Sequence, residues 1–434
     1  EVSGPVLEAL STTVEPQDPV GVLATPEPGV LETQRTVVAV EIGDPGNVGT
    51  LIRSAGALRW QIALIGAEAN ELLLFNKDKI FSSEQGWGPV LDQLFPRGLM
   101  LMDFDHHRMD RRALGIAFKP GPMRAYTQDM NRIFAEQLKD WRGDMLFYPA
   151  IKQLTLDVAA SSFLGIPLGP EADKINKAFV DMVQASVAPI RAPIPFTSMG
   201  KGVAGRKYLI DYFGPQIAER RRNENRQDMF SQFSRSKRED GEYMSDGELI
   251  DHMNFLMMAA HDTITSSVTS MIWYLAKHPE WQQKLREECL AIGPAGADIA
   301  FADLDKFELT EYAFKEALRL IAPVPSIPRR ALRDFDFMGY HIPKGTSVSI
   351  SPSYVHMMEE YWPNPQEFDP MRFTPDQVKA HAAYLTTIRA REAVVGKLTY
   401  ASTSNLREDG QLGVPLTIED APQFHTMLNS VLSP

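Results

Sequence analysis

The hydrophobic pattern is densest in Asp251–Ser267, DHMNFLMMAAHDTITSS, where Phe255, Leu256, Met257, Met258, Ala259 and Ala260 run unbroken into His261-Asp262-Thr263. Its length and flanks predict one long helix, 247–277, apolar on all faces and therefore buried in a core. Polar groups in the middle of such a helix need a buried partner or a cavity. Two readings stay open from these residues alone. Thr263 bonds back to the carbonyl four residues earlier while Asp262 meets a nearby cation, or the helix borders a cofactor pocket. Elsewhere the pattern predicts helices over 105–117, 123–142, 147–164, 170–187, 204–224, 279–292 and 309–321, with Pro-rich turns such as Ala192-Pro193-Ile194-Pro195 between them. Upstream, IALIG (62–66) reads as a strand, AEANELLLF (67–75) as a helix, and the chain then reads as irregular to Met102. Short strands are expected around 329–337 and 346–350. The fold expected is mainly α with minor β.

The two ends differ in texture from this body. Val37-Val38-Ala39-Val40 predicts a buried strand, followed by a turn containing Gly43, Gly46 and Gly49 and a helix over Thr50–Leu58. A strand-to-helix turn can present backbone N–H groups to an anion, or simply use glycine for its permissive dihedrals. After His381 the chain reads as a helix over Thr386–Ser404, a turn at Asp409-Gly410 and a final helix over Asp420–Leu432, with Asp420 as N-cap. Three segments follow: 1–59, 60–383 and 384–434.

Composition narrows the class. A chain of 434 residues, 44% apolar and 23% charged, has room for a large core, and length alone suggests about three domains. A net charge of −12 argues against general affinity for nucleic acid or a membrane surface, and RRRNENR (220–226) reads as a solvated helix end. No run of about 18 apolar residues predicts a membrane span. The single cysteine, Cys289, leaves no intrachain disulfide and fits a reducing, cytoplasmic setting. The first residues lack the features of a signal peptide and an initiator Met, which suggests a processed chain or a fragment.

Candidate chemistry lies in the order of the later motifs. Glu316-Ala317-Leu318-Arg319 sets a carboxylate and a guanidinium three apart on a helix. A strand-rich stretch follows, Arg330-Ala331-Leu332-Arg333 through Gly345-Thr346, and then Pro365-Gln366-Glu367-Phe368-Asp369-Pro370-Met371-Arg372-Phe373. In this order, with Ala259-Ala260-His261-Asp262-Thr263 before them, the elements over about 61–381 resemble the cytochromes P450, the haem-thiolate monooxygenases. The resemblance implies a haem cofactor, hydroxylation of a small organic substrate with dioxygen, and a ferredoxin-type electron donor. It implies that Asp262 and Thr263 relay protons beside the oxygen. It makes Glu316, Arg319 and Arg372 a buried structural triad, and His107, Arg111 and Arg330 the partners of the haem propionates.

One part of that pattern is missing. The family takes its iron ligand from a cysteine in a loop shortly after the Arg-Phe element, and the thiolate favours O–O cleavage. No cysteine follows Phe373, and Thr374–Leu398 contains no glycine-rich turn of that kind. Cys289, in Leu285-Arg286-Glu287-Glu288-Cys289-Leu290, has the context of a plain helical residue, and His381 or His425 is not positioned by any motif. No metal ligand is therefore assigned, and the body is expected to be catalytically incompetent as written.

The N-terminal stretch has a resemblance of its own. Glu41-Ile42-Gly43-Asp44-Pro45-Gly46-Asn47-Val48-Gly49-Thr50-Leu51-Ile52-Arg53 is similar to motif 1 of the knotted RNA 2′-O-ribose methyltransferases of the SpoU/TrmH type. That implies a truncated SPOUT-like α/β fragment, with Asn47 and Arg53 at a site for S-adenosylmethionine and RNA. The two later motifs of that knot are not found. The alternatives to an oxygenase body are thus an RNA methyltransferase-like protein, or a chimera without an evolved function. Residues 384–434 resemble no family.

Overall fold

The computed structural model describes residues 61–381, apart from Ile65, Met338, Gly339 and Glu360, together with a strand at Thr36–Val38. Its centre is the helix α10 (Asp246–Lys277), one residue longer at its start than the pattern predicts. The reason is local. Ser245 accepts from the Glu248 N–H while the Glu248 carboxylate accepts from the Ser245 N–H, so two orphan donors of the first turn are satisfied reciprocally. Leu249, Met253, Met257, Val268 and Met271 are buried along it.

The preceding helices are α1 (Ala67–Phe75), α2 (Ser83–Leu91), α3 (Phe104–Leu114), α4 (Pro120–Gln137), α5 (Phe147–Val158), α6 (Pro170–Ser186), α7 (Ser198–Phe213), α8 (Ile217–Arg222) and α9 (Met229–Arg235); α11 (Pro279–Ile292) and α12 (Glu308–Leu320) follow α10. Helices α6 and α7 approach closely because α7 carries Gly205, where a Cβ would lie 2.8 Å from the Ala178 carbonyl. Aromatic and aliphatic side chains of α4–α7 and α9–α12 form one continuous core, including Tyr126, Phe179, Phe213, Phe230 and Ala313.

A smaller core lies against a five-stranded sheet: β1 (Thr36–Val38), β2 (Gln61–Leu64), β3 (Phe81–Ser82), β4 (Ile327–Ala331) and β7 (Ser347–Ile350), in the order β1-β2-β7-β4-β3. β1–β2 and β2–β7 are parallel; β7–β4 and β4–β3 are antiparallel. A separate hairpin joins β5 (Phe335–Phe337) to β6 (Tyr340–Ile342). The architecture is mainly helical with a small sheet, as expected.

Four expectations about elements change. The stretch to Met102 is not wholly irregular: Ser82 caps α2 by accepting from the Gln85 N–H, and the helix forms despite two glycines and Pro89 because it packs on β4. The single helix expected over 204–224 is instead α7, a short 3₁₀ turn Gly214–Gln216 and α8; Pro215 has no N–H to continue the ladder. The helix expected over 147–164 ends as α5 and widens into a π turn at Ala159–Phe163. The strand expected at Val37–Val40 begins one residue earlier and hydrogen-bonds to β2 as the edge of this sheet. The rest of the 1–59 segment, including Asn47 and Arg53, and all of 384–434 lie outside the described residues.

Candidate functional site

On α10 the burial is interrupted by a stripe. Leu256, Ala259, Ala260, Thr263 and Ser266 are partly accessible, while Met253, Met257, Ile264, Val268 and Met271 are closed. Spacings of three and four put the accessible set on one helix face, which is packed less closely than the face that carries Met253, Met257 and Val268. Both contacts of the simpler reading are present beside it. The Thr263 hydroxyl donates to the Ala259 carbonyl at 2.6 Å. The Asp262 carboxylate meets the Lys152 ammonium, from α5, at 3.2 Å. His261 Nδ1 lies 3.0 Å from the Met257 carbonyl, and its Nε2 sits 3.1 Å from Asp262 Oδ1. Burial alone would raise the Asp262 carboxyl, but His261 and Lys152 outweigh it and hold the group below the ordinary carboxylate range. Asp262 is therefore an ionised, half-buried carboxylate one residue from a hydroxyl on the accessible face of α10.

A second feature gathers cations. His107 and Arg111, four apart on α3, share a face, and Arg329 of β4 lies close enough to act on the same imidazole. Burial first, then Arg111 and Arg329, push His107 down to about 4, so it is neutral at physiological pH. Arg329 is 8% exposed, and its guanidinium donates to the Pro328 carbonyl at 2.8 Å. Among the described residues no carboxylate is in ion-pair range of it. Burial pushes it down to about 10, against the attraction of Asp103. Arg330, the residue named from sequence, points the other way and donates to the Gly345 carbonyl on the exposed side. The pairing of β4 alternates buried and half-buried residues, which turns Arg329 inward and Arg330 outward.

The third feature is a knot. Arg319 and Glu316, both fully buried on α12, pair through two bonds, Nε to Oε2 at 2.7 Å and Nη2 to Oε1 at 2.8 Å. Arg319 also donates to the carbonyls of His356 (2.9 Å), Pro365 (2.7 Å) and Glu367 (3.2 Å). The Asp369 N–H donates to Glu316, and Arg372 Nε lies 3.3 Å from the same carboxylate. Arg372 itself donates to the carbonyls of Pro363 and Asn364. The structure thus brings Glu316, Arg319 and Arg372 together, and their carbonyl partners show that they clamp the 356–373 segment.

Comparison with known proteins agrees with this arrangement. The family model for cytochrome P450 matches residues 57–386. The chain belongs to the cytochrome P450 family. It is 37% identical over 333 residues to the putative cytochrome P450 136 of Mycobacterium tuberculosis, covering 75% of this chain and 67% of that one. It is 28% identical to the putative cytochrome P450 120 of a Synechocystis species (74% and 72% covered), and 27% identical to a taxane 10-beta-hydroxylase of Taxus cuspidata (72% and 65% covered). In fold it resembles a retinoic acid-bound cyanobacterial CYP120A1, with a TM-score of 0.70 at 24% identity over 84% of this chain and 80% of that one. No helix among the described residues is long and apolar enough to cross a membrane.

The haem that P450 proteins carry would meet two sets of residues. Its carboxylates suit the cationic end, where Arg329 is buried without a paired anion. Its iron finds no thiolate. Cys289 stands on α11, and burial and the neighbouring Glu288 push its thiol up to about 11, the reverse of a metal-ligating cysteine. His381 stacks on Trp362, with ring centres 4.7 Å apart, and burial and Arg372 lower its proton affinity; His425 lies outside the described residues. The residues present fit the group at its carboxylates and do not fit it at its metal. Sequence reasoning missed Arg329 and Lys152. A cation beside Arg330 was visible, but which of the two faces inward is a matter of strand register. Lys152 carries no local signal at all.

Proposed function

We propose that the 60–383 body is the pocket of a P450 monooxygenase that hydroxylates a small organic substrate with dioxygen, and that this chain as written cannot complete the reaction. What carries the second half is that no cysteine follows Phe373 and the one cysteine of the chain is a protonated helical thiol. In this reading His107, Arg111 and Arg329 hold the haem carboxylates, Arg329 taking the place first given to Arg330. When bound, haem would supply the oxygen-activating chemistry; the protein's contribution is described by its own groups. Lys152 and His261 keep Asp262 ionised and oriented, and Asp262 holds a proton-exchanging carboxylate beside Thr263. Because the Thr263 hydroxyl proton is committed to the Ala259 carbonyl, its oxygen is left as an acceptor on the accessible face of α10. Glu316, Arg319 and Arg372 are scaffold.

The substrate class proposed is bulky and apolar. The accessible stripe of α10 is mostly Leu256, Ala259 and Ala260, and relatives are named for taxane and beta-amyrin oxidation. A ferredoxin-type donor, a cytoplasmic setting and a three-part chain, 1–59, 60–383 and 384–434, complete the proposal. The test is spectroscopic. Purified chain is mixed with haemin, reduced under CO and scanned. An unshifted Soret band, or no haem uptake, supports lost catalysis. The strongly red-shifted band of a thiolate complex, or oxidation of a substrate with dioxygen, would overturn it.

A further inference from the structure

Asp110, on α3 between His107 and Arg111, is 2% exposed and has both oxygens engaged. Oδ1 accepts from Arg238 Nε at 2.7 Å, and Oδ2 meets His252 Nε2 at 3.0 Å. Arg238 also donates to Glu248 Oε1 at 3.0 Å, tying the same group to the first turn of α10. The loop carrying Arg238 grips α3 twice more: the Ser236 hydroxyl donates to the Ala113 carbonyl and Arg112 pairs with Glu239. His252 is fully buried, and its Nδ1 has no hydrogen-bond partner. Since Nε2 faces a carboxylate, Nε2 is the ring nitrogen that donates to Asp110. On α10, His252 lies about three turns before Thr263, at a separation that returns to the same face. The α10 face that carries Thr263 is therefore clamped, at its other end, to the helix that carries His107 and Arg111.

We infer that Asp110 and His252 are positioning residues: they set the roll of α3 against α10, and so aim His107 and Arg111 at Arg329. The roll matters because Asp110 sits about 60° round the helix from His107, so a contact that fixes one direction fixes the other. The use of that aim rests on the cationic cluster being the carboxylate end of the pocket; the readout below does not. The groups facing His107 are Arg111, Arg329, Asp103 and Asp110.

The test follows the His107 imidazole by NMR in full-length protein with labelled histidine, titrated across pH. In the parent, His107 titrates near 4, because it is buried beside two guanidinium groups. In His252→Leu the clamp is lost, and the His107 value rises toward 6.5, a tenfold or greater gain in proton affinity. In His252→Gln, whose amide can still donate to Asp110, it stays near the parent value. Asp110→Leu, which can bond neither Arg238 nor His252, gives a sign test. Loss of the Asp110 charge alone lowers the His107 value further, since that carboxylate favours the imidazolium, whereas loss of aim raises it. A parent value near 6.5, no rise in His252→Leu, equal rises in the Leu and Gln variants at 252, or a fall in Asp110→Leu would each overturn the inference.

Discussion

Glu316→Leu is the most informative single change, because it separates an ion pair from a clamp. With Glu316 gone, the Arg319 guanidinium stays at 0% exposure without a counter-charge. Breaking a buried pair in this way costs about 3–5 kcal/mol. At about 2 °C per kcal/mol for a body of this size, the melting temperature should fall by roughly 6–10 °C. For an isolated buried pair, replacing both partners by apolar residues is often neutral. Here it should not be. Arg319 also serves the carbonyls of His356 and Pro365 through one nitrogen, and that of Glu367 through another. Each buried acceptor left unpaired costs about 1–3 kcal/mol. Glu316→Leu/Arg319→Met should therefore melt about as low as the single variant. Arg319→Lys should also fail, because an ammonium cannot span the carboxylate and three carbonyls. Calorimetry or circular dichroism on the purified chain reads all three. A double variant melting within about 2 °C of the parent, beside a destabilised single variant, would refute the clamp.

Other consequences are checked as readily. The Asp262 carboxyl is depressed in the folded chain, so its stabilisation is complete above the unfolded value of about 3.9 and is lost as pH falls through the lower folded value. Asp262→Asn should thus melt below the parent near neutral pH, by less than about 1 kcal/mol, and converge with it on acidification; a gap that stays constant down to acid pH contradicts the assignment. Cys289, with its thiol pushed up to about 11, should alkylate far more slowly near neutral pH than free cysteine and accelerate only in strong base. A rate matching free cysteine would show that the thiol is neither buried nor raised. In Gly86→Ala the new Cβ would lie 2.6 Å from the Pro328 carbonyl and 2.7 Å from Arg329 Cα. Both neighbours are backbone, so α2 must move off β4 at about 1–3 kcal/mol; an unchanged melting curve would argue that the two elements are not in contact.

What the sequence determined by itself is the local part. The length and flanks of the apolar stretch mark α10 almost to the residue, and Glu316 and Arg319 fall on one face of α12 through their spacing alone. Motif order was enough to reach the family, because it survives without any knowledge of contacts. The missing cysteine is likewise a property of the chain, not of its folding. Tertiary structure decided the rest. Two adjacent arginines, 329 and 330, are equivalent until strand pairing sends one inward, since side chains alternate faces and register is set by a neighbour. Lys152 and Asp262 are joined only because α5 packs on α10, and Asp110 meets His252 only because the fold brings these two side chains of α3 and α10 together. Helix α2 runs against its own glycines and Pro89, held by the strand it lies on. Local pattern reports the backbone's preferences; contacts between distant segments exist only once the core has chosen which faces to bury.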